Sequence, residues 1–258
     1  MPRLTETQVF DPDTAAAPVL GFAIDHGQHD SGWHQHQRGQ LLYAEQGCMQ
    51  LSLPQRLCIV PPTRAVWLPS GLPHQVTMAG PTRYRSLYFD AGHFGTLPAQ
   101  PKIFEVTPLL QALILRVTDW SGSDLPDPAQ LRLVSVLIDE INGATAAALM
   151  LPLPTDKRLQ ELVSHYLSDP GCGQQLADYA KHCGASTKTL TRRFREETGL
   201  TFTQWRQQLR LNTAHQWFAQ GKSLQQVSQG LGFTSDSAFI QFFKQHTGHT
   251  PMRRQRSP

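Results

Sequence analysis

GLGFTSDSAFIQFFKQHTGHTP, residues 230–251, is the stretch whose reading decides the fold. Its last part, FKQHTGHT (243–250), has a counterpart 49 positions earlier in FREETGLT (194–201). Both read Phe, a basic residue, two polar residues, Thr-Gly, any residue, Thr. Each closes a segment with helix signals at both ends. STKTLTRRFREETG (186–199) starts on Ser186 and stops on Gly199, and SDSAFIQFFKQHTG (235–248) repeats the pattern. Serine is a favoured N-cap and glycine a favoured C-cap. Each segment follows a shorter helical one and a turn, LADYAKHCGAS (176–186) and SLQQVSQGLGF (223–233). Leu224 answers Leu176 at an offset of 48, while Phe239, Phe243 and Gly248 answer Leu190, Phe194 and Gly199 at 49. One residue has entered the turn, and the apolar anchors keep their spacing.

Between the copies, WRQQLRLNTAHQWFAQG (205–221) predicts one long helix anchored by Trp205, Leu209, Ala214, Trp217 and Phe218. The result is two helix–turn–helix units on a rigid spacer. Successive major grooves on one face of DNA lie about 34 Å apart, and a helix of about 16 residues spans ~24 Å. One chain could therefore read two neighbouring grooves. The plainer alternative is an all-α domain whose repeat serves packing alone. Lys188, Thr191, Arg192 and Arg195 form a stripe opposite Leu190 and Phe194, and this basic stripe favours a nucleic-acid partner.

Residues 157–251 resemble the DNA-binding domain of the AraC/XylS family of transcriptional regulators. The motifs that carry the resemblance are LADYAKHCGASTKTLTRRFREETG, WRQQLRLNTA and the Gly-Phe-x-Ser to Phe-Lys-x-x-x-Gly-x-Thr-Pro signature within 230–251. The resemblance implies that Lys188, Thr191 and Arg192 face bases in the first recognition helix, and Asp236, Ser237 and Gln241 in the second. It further implies double-stranded DNA and the transcription machinery as partners. The chain departs from the pattern at Gln241, where arginine is common, and at Arg254 and Gln255, where an aromatic residue and arginine are common. The first recognition helix holds Arg192, Arg193 and Arg195, the second only Lys244. We expect the first unit to supply most of the affinity and to read guanine, since arginine pairs bidentately with that base. Gln241 is a candidate reader of adenine.

Charge agrees with this division. Residues 1–150 carry 9 Lys/Arg against 13 Asp/Glu, and residues 151–258 carry 14 against 7, within a net charge of +3. The anionic partner is thus expected for the second half. The N-terminus, MPRLTETQVFDPD, has no apolar core of a secretory signal, and the apolar run ATAAALML is too short to span a membrane. Cys48, Cys58, Cys172 and Cys183 form no C-x-x-C pair and read as reduced packing residues. The expected compartment is the cytoplasm, with no membrane partner.

The first half has a different period. QLLYA, CMQLSLP, RLCIV, AVWL and YRSLYF are short apolar or alternating runs, separated by EQG, VPP, PSGLP and MAGP. Such punctuation predicts a β-sandwich or barrel. Then PLLQALILRVTDW (108–120) and PAQLRLVSVLIDEI (128–141) step by three and four, as amphipathic helices do. Their stripes, Leu109, Leu113 and Val117, then Leu133, Leu137 and Ile141, could seal a homodimer or pack on the strands. LPLPTD (151–156) reads as a linker. The expected architecture is α+β and multidomain: an N-terminal cupin-like β-barrel over 1–107, linking helices over 108–151 and an all-α tandem helix–turn–helix domain over 152–258.

His34-x-His36, then Gln40 and Gly47, then Pro69, Gly71 and His74 resemble the two cupin motifs, with glutamine in place of glutamate. Such a barrel is also the usual sensor of AraC/XylS regulators. On a strand, residues i and i+2 face one side. His34 and His36 thus point inward together, where His74 and Gln40 could complete the coordination of a divalent metal. The alternative is a metal-free pocket in which these side chains hydrogen-bond an organic effector. Trp67, with Trp33, Tyr43 and Tyr88, is a candidate wall for that pocket. No catalytic constellation stands out. The reading is a non-enzymatic, DNA-binding transcriptional regulator whose barrel senses a small molecule or a metal. Two alternatives stay open: a metal-dependent cupin enzyme fused to a DNA-binding domain, and a regulator needing no effector.

Overall fold

The structure is a computed structural model that describes residues 11–120, 125–147 and 150–251. The chain divides into two compact units, residues 1–54 with 58–150, and residues 55–57 with 151–258.

Among the described residues a short 3-10 turn at Pro12–Thr14 is followed by β1 (Val19–His26), β2 (His29–Asp30), β3 (Gly39–Gln46), β4 (Met49–Leu53), β5 (Arg56–Val60, whose first two residues belong to the second unit), β6 (Arg64–Leu68), β7 (Gln75–Met78), β8 (Thr82–Phe89) and β9 (Lys102–Glu105). One antiparallel sheet runs β1-β8-β3-β6-β9, and a second contains β5-β4-β7-β2. The expected barrel is therefore met only as a β-rich domain of two sheets, whose ladders do not close among the described residues. A corner joins the sheets. The β3–β6 pairing, which ends at Gln40 opposite Leu68, continues as Gly71 N–H donating to His36 O (2.9 Å). It then passes through an antiparallel bridge between His34 and His74 into the β2–β7 pair.

Two helices cover the first sheet. α1 (Pro108–Thr118) is capped by Thr107, and α2 (Pro128–Gly143) by a capping box of Asp127 and Gln130, each with proline in the first turn. Leu110, Leu113, Ile114 and Val117 of α1 and Val134, Leu137, Ile138 and Ile141 of α2 share one core with Leu41, Tyr43, Trp67, Leu87 and Phe89. The opposite face of the same sheet, with Leu42, Ala44, Val66 and Leu68, packs on Met49, Leu51, Val60, Val76 and Met78. Burial on both faces explains why QLLYA has no polar alternation. It also consumes the stripe considered as a dimer seam. Leu113, Val117, Leu137 and Ile141 are buried, Leu133 is partly buried, and Leu109 is left 52% exposed. A sheet with an apolar outer face needs this cover within its own domain.

In the second unit Leu151–Pro152 (β10) is no loose linker: it pairs antiparallel with residues 56–57. Six helices follow, α3 (Lys157–Ser168), α4 (Leu176–His182), α5 (Thr187–Thr198), α6 (Phe202–Ala219), α7 (Leu224–Gly230) and α8 (Asp236–Thr247). One aromatic-rich core gathers Leu159, Tyr166, Leu190, Phe194, Phe202 and Trp205, and a second gathers Leu211, Ala214, Val227, Leu231, Phe239 and Phe243. The long α6 serves both.

The repeated sequence is a repeated helix end. Gly199 and Gly248 take left-handed φ values of 73° and 79°, and their N–H groups donate to Arg195 O (2.9 Å) and Lys244 O (2.8 Å). The preceding threonines fold back: Thr198 Oγ1 donates to Phe194 O (2.6 Å) and Thr247 Oγ1 to Phe243 O (2.8 Å). Glycine reaches that φ without a Cβ penalty, so Thr-Gly stops each helix at the same point.

Candidate functional site

Two sites emerge, a pair of recognition helices in the second unit and a histidine cluster at the sheet corner of the first.

Ser186 caps α5 by accepting from Thr189 N–H, and Ser235 caps α8 by accepting from Ala238 N–H. With Leu190 and Phe194 buried, the helical period turns Lys188, Thr191, Arg192 and Arg195 to solvent. Arg192 pairs with Glu196 along the helix at 2.8 Å, an exposed pair of the kind worth ~0.3–0.5 kcal/mol. On α8, Ser237, Gln241 and Lys244 are likewise exposed. Asp236 differs. It is half-buried, and its carboxylate accepts a short hydrogen bond from the Ser228 hydroxyl of α7. The side chain expected to face bases ties the two helices of its own unit together. Arg254 and Gln255 lie outside the described residues.

The second site is where His34, His36 and His74 converge. One ring nitrogen from each lies within 4.8 Å of the others. Ring centroids are 4.3 Å apart for His34–His74 and 5.1 Å for His36–His74. Reciprocal backbone bonds between His34 and His74 (3.0 and 2.9 Å) place the two side by side. Gln40, also buried, sets Oε1 3.1 Å from His36 Nε2, while its amide nitrogen donates to Ser86 Oγ (2.9 Å) and Tyr84 OH (3.3 Å). Tyr88 meets the His36 ring edge-on at 5.2 Å. Burial lowers the His74 pKa to about 4, and burial raises Tyr88 to about 12, so both side chains are neutral near pH 7. Arg38, buried beside the cluster, donates to Ala15 O (2.6 Å) and Ala17 O (2.8 Å) and fixes the segment before β1.

Three expected pocket walls are corrected. Trp67 is buried in the core beneath α1 and α2, its indole N–H donating to Pro98 O (2.7 Å). Leu68 and Val66 face the other side of β6, so strand alternation sends Trp67 away from the histidines. Tyr43 lies on that same outer layer, and Trp33 is 56% exposed. Tyr84 and Ser86, which orient Gln40, were not anticipated. Their signal was the alternation Tyr84, Ser86, Tyr88 in YRSLYF, where all three share one face of β8.

Residues 17–163 match the family described as an AraC-like ligand binding domain, and residues 179–257 match a helix-turn-helix domain family. The chain is 32% identical over 246 residues to the HTH-type transcriptional regulator NimR of Escherichia coli, covering 95% of this chain and 90% of that protein. It is 29% identical over 220 residues to the HTH-type transcriptional regulator RipA of Corynebacterium diphtheriae, covering 82% of this chain and 58% of that protein. It is 26% identical over 199 residues to the thermoregulatory protein LcrF of Yersinia pestis, covering 74% of this chain and 71% of that protein.

Proposed function

The chain belongs to the AraC/XylS family of transcriptional regulators, with a ligand-binding domain and a DNA-binding helix–turn–helix region, and from that premise we propose which side chains do each task. α5 and α8 enter neighbouring major grooves of one duplex. Lys188, Thr191 and Arg192 read bases from α5, Ser237 and Gln241 read them from α8, and Arg195 and Lys244 hold phosphates. Asp236 stays with Ser228 as a packing residue. The observation that carries this assignment is the repeat itself: two helices with matching caps, matching buried anchors and matching solvent-facing positions. Basic residues concentrate on the first of them, so α5 supplies most of the affinity.

The ligand-binding domain senses through the corner site of His34, His36, Gln40 and His74, with Tyr88 as a neighbour. Several polar groups converge there in buried surroundings, the arrangement expected of a small-ligand site. Occupancy would act by favouring one domain arrangement over another, which requires different affinities for the ligand in the two.

Selection of duplexes from a random pool, followed by footprinting, tests the DNA assignment. Two protected stretches about one helical turn apart are expected. A single protected stretch, or no enrichment, would refute the two-groove reading.

A further inference from the structure

The two helix–turn–helix units touch at a point away from the helix that joins them. Gly171 lies in the loop between α3 and α4, and Gly232 in the turn between α7 and α8. A Cβ on Gly171 would stand 2.4 Å from Gly230 O, and one on Gly232 would stand 2.5 Å from Gly171 O. Backbone therefore meets backbone with no room for a side chain. Gly232 also takes a left-handed φ of 73°, which favours glycine in any surroundings. Gly171 has no such φ, so at that position the close approach alone calls for glycine.

Two arginines of α6 close on the same joint. Arg206 and Arg210 are four residues apart and so share a helix face. Arg206 donates to Cys172 O (2.7 Å) and lies over the Tyr166 ring at 4.8 Å, which holds the loop of the first unit. Tyr166 in turn donates its hydroxyl to Gln174 O, further along that loop. Arg210 lies over the Phe233 ring at 5.2 Å and holds the turn of the second unit. None of these groups belongs to α5 or α8.

The turn 231–234 runs straight into α8, and the loop 169–175 straight into α4. A contact between them sets how the second reading helix stands relative to the first unit. This matters because Lys244 is the one lysine or arginine on α8. A unit with so little charge adds affinity mainly through its linkage to a stronger neighbour. That gain is lost when geometry keeps the two from engaging together. We propose that Gly171 is a positioning residue for DNA reading: with Arg206 it seats loop 169–175 against turn 231–234 and so fixes the spacing at which α5 and α8 enter two grooves. The inference rests on the two-groove reading given above.

The test uses the full chain and two duplexes. One carries both stretches obtained by selection, and the other has the weaker-binding stretch scrambled. For the parent chain, scrambling is expected to weaken binding ~100-fold. Gly171→Ala adds a methyl group that forces loop and turn apart by about 1 Å. Its penalty from scrambling should shrink to ~10-fold or less, with affinity for the scrambled duplex kept within about twofold. Arg206→Met removes the clip without adding bulk at the joint and should shrink the penalty in the same direction. The charge it removes acts on both duplexes alike, and it keeps the test open should Gly171→Ala not fold. A series with the two stretches moved one base pair closer or farther reads spacing directly. Each step turns the second groove by about 34°, so the parent should bind roughly tenfold more weakly and the folded variants should lose less. Equal loss on every duplex, with spacing preference intact, would make the joint a matter of folding and overturn the proposal. A parent-like scrambling penalty and spacing preference in both folded variants would overturn it too. A parent chain indifferent to scrambling would instead refute the two-groove reading, and the proposal with it.

Discussion

His34 and His74, forty residues apart in the chain, exchange backbone hydrogen bonds in both directions and bring their rings within 4.3 Å. This bridge is the hinge between the two sheets and the base of the histidine cluster. His74 is the buried member of the pair, with an unpartnered Nε2. Such a group costs ~1–3 kcal/mol when buried unpaired. His74→Met removes that cost along with the bond to Leu72 O. We therefore expect the variant to stay within about 1 kcal/mol of the parent in urea unfolding. A loss of several kcal/mol would mean that His74 is satisfied within the folded chain.

Arg192 sits on the exposed face of α5 with its guanidinium turned to Glu196. Arg192→Ala should weaken binding to the selected duplex by ~1–3 kcal/mol and relax preference at one base position. An equal loss on every duplex would make it a phosphate contact. Glu196→Ala should tighten binding by up to ~1 kcal/mol, since it frees the arginine and removes a negative charge beside DNA. The check is a binding isotherm at fixed salt for both variants.

Asp236→Ala should act on stability and leave base preference alone. Its carboxylate accepts from the Ser228 hydroxyl, which is itself buried. Loss of that bond is expected to cost ~1–3 kcal/mol. Thermal unfolding and a repeated duplex selection distinguish this role from base reading, because a reader would change the selected sequence.

Trp67→Ala should cost ~3–5 kcal/mol, the usual loss for a large buried aromatic side chain. The indole fills the layer between the first sheet and its covering helices, in edge-on contact with Phe89 at 5.7 Å. The corner of His34, His36 and His74 should be undisturbed in the folded fraction, as Trp67 lies on the far face of the sheet from Gln40. Urea unfolding beside the parent measures the loss.

Acid should loosen the start of the second unit. Burial raises the Glu197 carboxyl, but hydrogen bonds from Asp156 N–H, Thr155 N–H and the Thr155 hydroxyl bring it below the usual range. Asp156 is lowered chiefly by the Arg158 side chain. Both charged forms are favoured in the folded state. Their stabilisation is therefore present above the unfolded-state pKa and lost as pH falls through the lowered folded values. Glu197→Gln should cost ~1–2 kcal/mol at neutral pH and flatten the acid limb of a plot of Tm against pH.

Legibility varied with the distance over which a feature is made. Ser186, Gly199, Ser235 and Gly248 mark helix ends through bonds spanning a few residues, so α5 and α8 could be read directly. The stripe Leu113, Val117, Leu137 and Ile141 announced helices, but not what the stripe would meet. Trp67 looked like a pocket wall because aromatic residues line pockets, and only its pairing on β6 shows which face it takes. Asp236 matched a motif position, and its bond from the Ser228 hydroxyl joins two helices, which no local pattern announces.

The sequence by itself determined the tandem helix–turn–helix units, the long α6 between them and the basic face of the first, because caps, helical period and side-chain charge are properties of neighbouring residues. Tertiary structure alone decided that Ser86 and Tyr84 hold the Gln40 amide at the corner where His34, His36 and His74 meet. Strand pairing joins residues some forty positions apart, and no local pattern fixes which of them will meet.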